Sequence, residues 1–243
     1  MGKAAAIAAV KRGGKALLVS RSQDKLDRAM IEVTKKCKLG GSVTTMSLDI
    51  TNEEAVKEFA DGISCNEWDS LVVSSAGKAP HGSITDLEIS DTRELFDSKF
   101  WGAYCCTKYL RPKLKEGGSI TFVSGVLGRR PGINCSPLAC TNGALEGLTR
   151  SLALELGPRL RVNCLSPGFC DTERFDHMDK EKKAAMLANT ANSLPLNRVG
   201  CPEDMGEAIY YLATGKSAFV CSVGEVLIGP HVSLFDCVCI RMY

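Results

Sequence analysis

"SPLACTNGALEGLTRSLALELGPRLRVNCLSPG", Ser136 to Gly168, holds a helix, a stop, a buried strand and a turn in one run. Ser136 followed by Pro137 reads as an N-cap with proline at the first helical position, and Gly157-Pro158 ends the helix. The strand "RLRVNCLSPG" follows at once, so the run is one helix-then-strand unit. The first two turns of that helix carry neither acid nor base. Whether this chain performs chemistry is the question its sequence raises.

The same alternation extends along the chain and predicts βαβ units on a parallel sheet. Lys3–Arg12 reads as a helix stopped by Gly13-Gly14, Lys15–Ser20 as a buried strand, Gln23–Cys37 as an amphipathic helix and Ser42–Leu48 as a strand. Thr51 with Glu54 suggests a capping box at the next helix. Asp69–Gly77 is an apolar strand running into a small-residue turn, and Asp91–Leu114 a long helix with Ser90 as its N-cap. Gly118–Gly125 is a further strand, Pro202–Gly215 a helix opened by proline and two acids, and Gly224–Gly229 the last strand. No internal repeat, linker or low-complexity block interrupts this order, so 1–243 is expected to be a single domain.

Composition narrows the function classes. The chain has 243 residues with 30 Lys plus Arg against 28 Asp plus Glu, a net of +2, so no charge excess drives nucleic-acid or membrane-surface binding. A small-molecule or protein partner is expected instead. The 12 cysteines show no C-x-x-C, and His81, His177 and His231 lie far apart, which gives no zinc spacing and no expected metal. Free thiols in a reducing compartment follow, hence a cytoplasmic location. No apolar run reaches the roughly 18 residues needed to span a bilayer, and the Ala-rich N-terminus is broken by Lys11 and Arg12.

Three phrases carry a resemblance: "SSAG" after a strand (Ser74–Gly77), "NGALEGLTRSLALELGPRLRVNCLSPGFCDT" (Asn142–Thr172) and "NRVGCPEDMGEAIYYLATG" (Asn197–Gly215). With the order of elements, they resemble the short-chain dehydrogenase/reductase family from about Gly2 to Ser233. The resemblance implies a Rossmann-like, doubly wound parallel sheet in three αβα layers, binding a dinucleotide at the carboxyl ends of its strands. The activity it implies is NADP(H)-dependent oxidoreduction of a small alcohol or carbonyl. It also implies a homodimer or homotetramer formed through the central helix, whose Gly143, Ala144 and Gly147 leave a smooth face, and the long helix before it.

The family's chemistry uses a Tyr as acid/base, a Lys one helical turn later that favours the phenolate, and a Ser that polarises the substrate oxygen. By resemblance the Tyr position falls on Leu138, the Lys position on Asn142 and the Ser position on Gly125, so all three functions are missing. Ser124 lies one residue earlier, and a one-residue slip on a strand turns a side chain to the other face; it substitutes only if the strand end is irregular. Lys99 in "DSKFWG" stands where the family keeps a helix-lining Asn. It reads either as a substitute cation or proton carrier, or as a lysine snorkelling from a long helix. Cys140, Thr141 and Ser136 offer a different nucleophile, but no His lies near them in sequence.

The cofactor half is incomplete too. Gly2 matches only the last glycine of the family's phosphate loop, and the first strand, which belongs between Lys15–Ser20 and Asp69–Ser75, is absent from this chain. A start codon placed too late in the reading frame is the expected cause, and cofactor binding by the chain as written is expected to be impaired. Ser20 ends the second strand where NAD-preferring relatives carry an acid, and Arg21 after it suits a 2'-phosphate, which favours NADP over NAD. Arg21 reads equally as an ordinary surface residue at a strand end. Asp49 resembles the adenine contact; Ser75, Ala76 and Gly77 keep a close backbone approach; Pro167, Gly168 and Thr172 match the segment that touches the nicotinamide carboxamide. Met178–Leu194 occupies the lid region as an amphipathic mobile helix, with His177 just before it. The tail 234–243 departs from the family ending. Two functions stay open: an oxidoreductase of weak or absent activity, and a non-catalytic relative that binds a nucleotide or supports an oligomer.

Overall fold

Parallel strands with helices on both faces make up the computed structural model, which describes residues 1–37, 40–221 and 224–225. In chain order the elements are α1 (Gly2–Val10), β1 (Lys15–Ser20), α2 (Gln23–Thr34), β2 (Ser42–Ser47), α3 (Glu53–Asp61) and β3 (Trp68–Val73). They continue with α4 (Ile89–Phe96), a π-helical turn Asp97–Trp101, α5 (Gly102–Leu110) and β4 (Leu114–Val123). Then come α6 (Ser136–Leu156), β5 (Arg161–Leu165), α7 (Lys180–Asn192), α8 (Pro202–Ala213) and β6 (Gly224–Glu225).

The two-residue period of a strand explains the layers, because consecutive side chains point to opposite faces. On β4 and β5, Phe122 and Cys164 join the cluster built with Ala103, Cys106 and Leu110 of α5 and Leu145, Leu152 and Leu156 of α6. Their neighbours Val123 and Leu165 point the other way, into Met205, Ile209 and Leu212 of α8. A third cluster packs Ala6 and Val10 of α1 and Val33 of α2 against Ala16, Leu18 and Val43 of β1 and β2.

The described strands form two sheets, β1-β2 and β3-β4-β5-β6, with every pairing parallel. The parting lies where the family resemblance places a further strand, between β1 and β3, and no described strand pairs with both. Helix α1 braces it: Ala5 packs against the same buried cluster as Val72 of β3, while Ala6 and Val10 pack on β1 and β2. Close approach of α1 to α8 makes this brace possible, since a Cβ added at Gly206 would lie 2.7 Å from the backbone of Ala4.

Several local expectations are corrected. Asn52, not Thr51, caps α3 by accepting from the Ala55 N–H at 3.1 Å, because the Thr51 hydroxyl is spent on Asp49 at 2.8 Å. Ser90 lies inside α4, whose N-cap position is Glu88. The long helix is broken by the π turn and stops at Leu110, where Pro112 in the next turn lacks an N–H to continue it. Cys135 occupies the N-cap of α6, so Ser136 and Pro137 are its first helical residues. Helix α7 buries none of its residues fully, but Lys183, Met186, Leu187, Thr190 and Ala191 form a half-buried face at helical spacing, as an amphipathic helix requires. Of the last strand only Gly224–Glu225 is described, paired with Cys164–Leu165; His231 and the tail 234–243 lie outside the described residues.

Because the atoms facing Gly206 are helix backbone and cannot swing aside, Gly206→Val is expected to lower stability by about 1–3 kcal/mol, read as a lower urea midpoint at unchanged m-value.

Candidate functional site

The site is organised by the π turn Asp97–Trp101. π turns sit mostly as single insertions in α-helices and often at functional sites, since the extra residue redirects side chains. Ser98 on this turn accepts from the Gly77 N–H at 3.1 Å and donates to the Leu95 carbonyl at 3.2 Å. The Ser98 carbonyl in turn accepts from the Ser75 hydroxyl at 3.2 Å. The turn Ser74–Gly77 after β3 is thereby clamped to the helix, and a side chain at Gly77 would meet Ser98 Oγ at 2.6 Å. Ala76 stands between the two clamped residues.

Lys99 is the next residue, and it does not snorkel. It is only 5% exposed, and its ammonium donates to the Ser124 carbonyl at 3.2 Å. Burial pushes its pKa down to about 8; Cys164 opposes the shift and Arg174 adds to it. Among the described residues no carboxylate pairs with Lys99.

At the end of β4 the backbone stays paired, with Ser124 N–H to the Leu165 carbonyl at 2.8 Å and Val126 N–H to the Pro167 carbonyl at 2.9 Å. The irregular strand end that Ser124 needs to act as a substitute is therefore not present. Its hydroxyl is held by Glu146 Oε1 at 3.3 Å and by Ser166, while Arg129 closes the network on Glu146 Oε2 at 2.8 Å. Gly125 instead faces Asn142, whose Nδ2 would lie 2.9 Å from an added Cβ. Asn142 is buried, and its Oδ1 has no hydrogen-bond partner. Leu138, one turn earlier on α6, is buried as well. The structure thus gathers Lys99, Gly125 and Asn142 at one strand end, and Ser124 joins them through its carbonyl.

On the cofactor side, Gly2 opens α1 directly against Ser74, with an added Cβ 2.6 Å from Ser74 Oγ. This brings free N–H groups of a helix start to the end of β3. Lys3 beside it bridges Glu32 of α2 and Glu173 of the loop after β5. Arg21, Thr51, Glu94, Asp97, Ser98 and Trp101 line a cavity of about 360 Å³. Asp49 is fixed by the N–H of the cavity-lining Thr51 at 3.0 Å, which with the Thr51 hydroxyl and the Arg21 charge holds its carboxyl below the usual range. Ser20 turns back to the Ser22 N–H at 3.5 Å. Pro167 accepts from Val126, Gly168 follows it, and Thr172 opens the short turn Glu173–Phe175, where Phe175 stacks on Phe169 at 5.3 Å.

Other candidates fall away from this centre. Thr141 spends its hydroxyl on the Pro137 and Leu138 carbonyls, and His81 bonds the Ala79 carbonyl at 2.9 Å in an exposed turn. Lys183 tethers α7 to Asp171 at 3.0 Å and Asp176 at 2.9 Å, and His177 lies in the segment it ties down. Among the described residues no cluster of His, Cys, Asp or Glu could hold a metal. Sequence reasoning missed Ser98, Glu146, Arg129 and Ser166. Ser98 is revealed only by the π turn, and the other three only by a buried carboxylate with its partners; neither is written in "GALEGL" or "DSKFWG".

Comparisons with known proteins bear on the family and the fold. A family model described as enoyl-(acyl carrier protein) reductase matches residues 1–228. The human protein dehydrogenase/reductase SDR family member 4 is 30% identical over 223 residues, covering 89% of this chain and 77% of that one. The uncharacterized oxidoreductase YxbG of Bacillus subtilis is 27% identical over 228 residues, covering 90% of this chain and 82% of that one. A small-chain dehydrogenase solved in complex with NADPH superposes with a TM-score of 0.75 at 30% identity, covering 88% of this chain and 96% of that one. An NADPH-bound short chain oxidoreductase from Pseudomonas aeruginosa, described as containing an atypical catalytic center, shares the fold with a TM-score of 0.83 at 20% identity, covering 94% and 91% of the two chains.

Lys99 gives the folded state a distinct pH dependence. In the unfolded chain it keeps its proton to about 10.5 and in the folded chain only to about 8, so between these values the unfolded state binds more protons. Stability is expected to rise with pH across that window, by on the order of 3 kcal/mol. Chemical denaturation at several pH values should show this rise in the parent protein and lose it in Lys99→Met.

Proposed function

The chain belongs to the short-chain dehydrogenase/reductase family, and from that premise we propose that it is a slow NADP(H)-dependent oxidoreductase of a small alcohol or carbonyl. One observation carries the reading: the Arg21-lined cavity, the clamped Ser74–Gly77 turn and buried Lys99 all meet on the same π turn. NADPH, when bound, supplies a hydride. Arg21 would hold its 2'-phosphate and Asp49 its adenine end, while Pro167, Gly168 and Thr172 would meet the carboxamide. Gly2 and the free N–H groups of α1 fit the pyrophosphate. The fit is poorer at Glu173, whose carboxylate sits on Lys3 beside that helix start and competes with phosphate, so weakened binding is expected.

The rate is low for a physical reason. Alignment of a bound substrate survives, and proximity is worth a great deal. The phenol that acid/base catalysis needs is absent at Leu138, and such help contributes about 10²–10⁴. The joint loss at Leu138, Asn142 and Gly125 favours a second reading, a non-catalytic nucleotide-binding or oligomer-partner protein. In both readings exposed Trp101 just before α5, Tyr104 on α5 and Leu154 on α6, the last 86% exposed, suit a contact between copies of this chain as a homodimer or homotetramer. Ten free cysteines among the described residues suit a reducing cytoplasm, and no helix among them is long and apolar enough to cross a membrane.

Fluorescence titration tests the nucleotide binding that the enzyme and the nucleotide sensor share. The protein is expected to bind NADPH at micromolar concentration, and Arg21→Ala to weaken NADPH about tenfold while leaving NADH nearly unchanged. No binding at high micromolar NADPH removes both the enzyme and the nucleotide sensor. Sedimentation should show Tyr104→Glu with Leu154→Glu moving the protein to a monomer; an unchanged profile removes this surface as the contact.

A further inference from the structure

Lys99 and Asn142 stand in each other's places. The family resemblance puts an amide where Lys99 is and an ammonium where Asn142 is, and the fold brings both side chains to the Ser124–Gly125 strand end. We infer that the two residues are an exchanged pair and that Lys99 Nζ is the proton donor to the oxygen of a bound carbonyl. This rests on the oxidoreductase reading above.

Three observations support it. An ammonium buried with a single carbonyl acceptor and no carboxylate is costly, and an apolar fold would not retain it without use. Asn142, packed against Gly125 at the strand end where Lys99 reaches Ser124, keeps an Oδ1 without a donor, so that strand end holds an unfilled acceptor as well as an under-satisfied cation. Every other ionisable group around Lys99 is unsuited to move a proton there. Glu146 of α6 is locked by Arg129, Ser124 and Ser166, burial pushes the Cys164 thiol of β5 up, and Arg174 of the Glu173–Phe175 turn contributes only a repelling charge.

As the carbonyl carbon receives hydride, one Nζ–H bond of Lys99 breaks and an O–H bond forms on the product alcohol. The neutral amine then recovers a proton from solvent. Since burial places the Lys99 pKa at about 8, reduction runs on the protonated form and falls as pH rises through that value, and alcohol oxidation, which needs the free amine, rises.

The exchange must also be concerted. A lysine at position 142 beside Lys99 puts two ammonium groups in one buried pocket, and each would disfavour the other. Asn142→Lys alone is therefore expected to destabilise the protein, and Lys99→Asn with Asn142→Lys to restore it.

The experiment measures NADPH oxidation with an activated diketone between about pH 6 and 9, with carbon-13 NMR of the lysine ε-methylenes as a readout independent of turnover. Reduction by the parent should fall about tenfold per unit above pH 8. Lys99→Met should lose about a hundredfold, and Lys99→Arg as much, because a guanidinium keeps the charge but not the transferable proton. The Lys99 signal, assigned by its loss in Lys99→Met, should titrate near 8. An active parent with Lys99→Met within about threefold of it overturns the proton donor and leaves the oxidoreductase reading standing. NADPH binding with no turnover at any pH overturns both. A Lys99 signal titrating above about 10, or Asn142→Lys as stable as the double variant, overturns the exchange.

Discussion

The hydrogen bonds made by the π turn Asp97–Trp101 are the constraint on which the site depends. Ser98 holds the turn after β3, and Lys99 reaches the end of β4, so two adjacent residues tie a helix to two neighbouring strand ends. In a regular α-helix successive side chains diverge by about 100°, and the widened turn is what lets both find partners at one end of the sheet. Trp101 and Asp97 of the same turn face the cavity lined by Arg21. The cavity, the clamped turn after β3 and the end of β4 are joined through five residues of backbone.

The chemistry at that junction is a matter of compensations between neighbours. Gly125 leaves space that the Asn142 amide fills, and Asn142 is small and neutral where a second cation would repel Lys99. Each departure from the family pattern makes sense only with the others present. A single reversion meets a contact or a charge that its neighbour was chosen to avoid, which is the usual form of coupling between residues in contact. The buried network of Ser124, Ser166, Glu146 and Arg129 fixes the strand end against α6, and so sets where the Ser124 carbonyl presents itself to Lys99.

The parted sheet shows how much a single helix can carry. Helix α1 is rich in alanine because it lies close to α8 at Gly206 and to β1 and β2 at once, and larger side chains would push these apart. Among the described residues the two sheets share no ladder, so their relation rests on packing through α1 and on the side-chain bonds of Lys3 and Arg12 at its two ends, and not on strand pairing. The same helix presents its N-terminus at Ser74, which couples the brace to the cofactor side of the site.

Helices and strands were legible because they depend on local pattern: the alternation of apolar residues in β4 and β5, the Pro137 start and Gly157 stop of α6, and the acids that open α8. Family membership was legible for the same reason, being carried by contiguous phrases such as "SSAG" and "SPGFCDT". Caps and helix breaks were less so, since Thr51 and Asn52 compete for one helix start and only the position of Asp49 decides between them. Sequence alone determined the fold class and the arginine after β1, and through the family resemblance it set the expectation of empty positions at Leu138, Asn142 and Gly125. Only the tertiary structure decided that Lys99 turns inward, that Ser124 offers a carbonyl and not a hydroxyl, and that Asn142 keeps an unmet acceptor. Burial and charge environment are made by residues distant in the chain, and no local pattern records them.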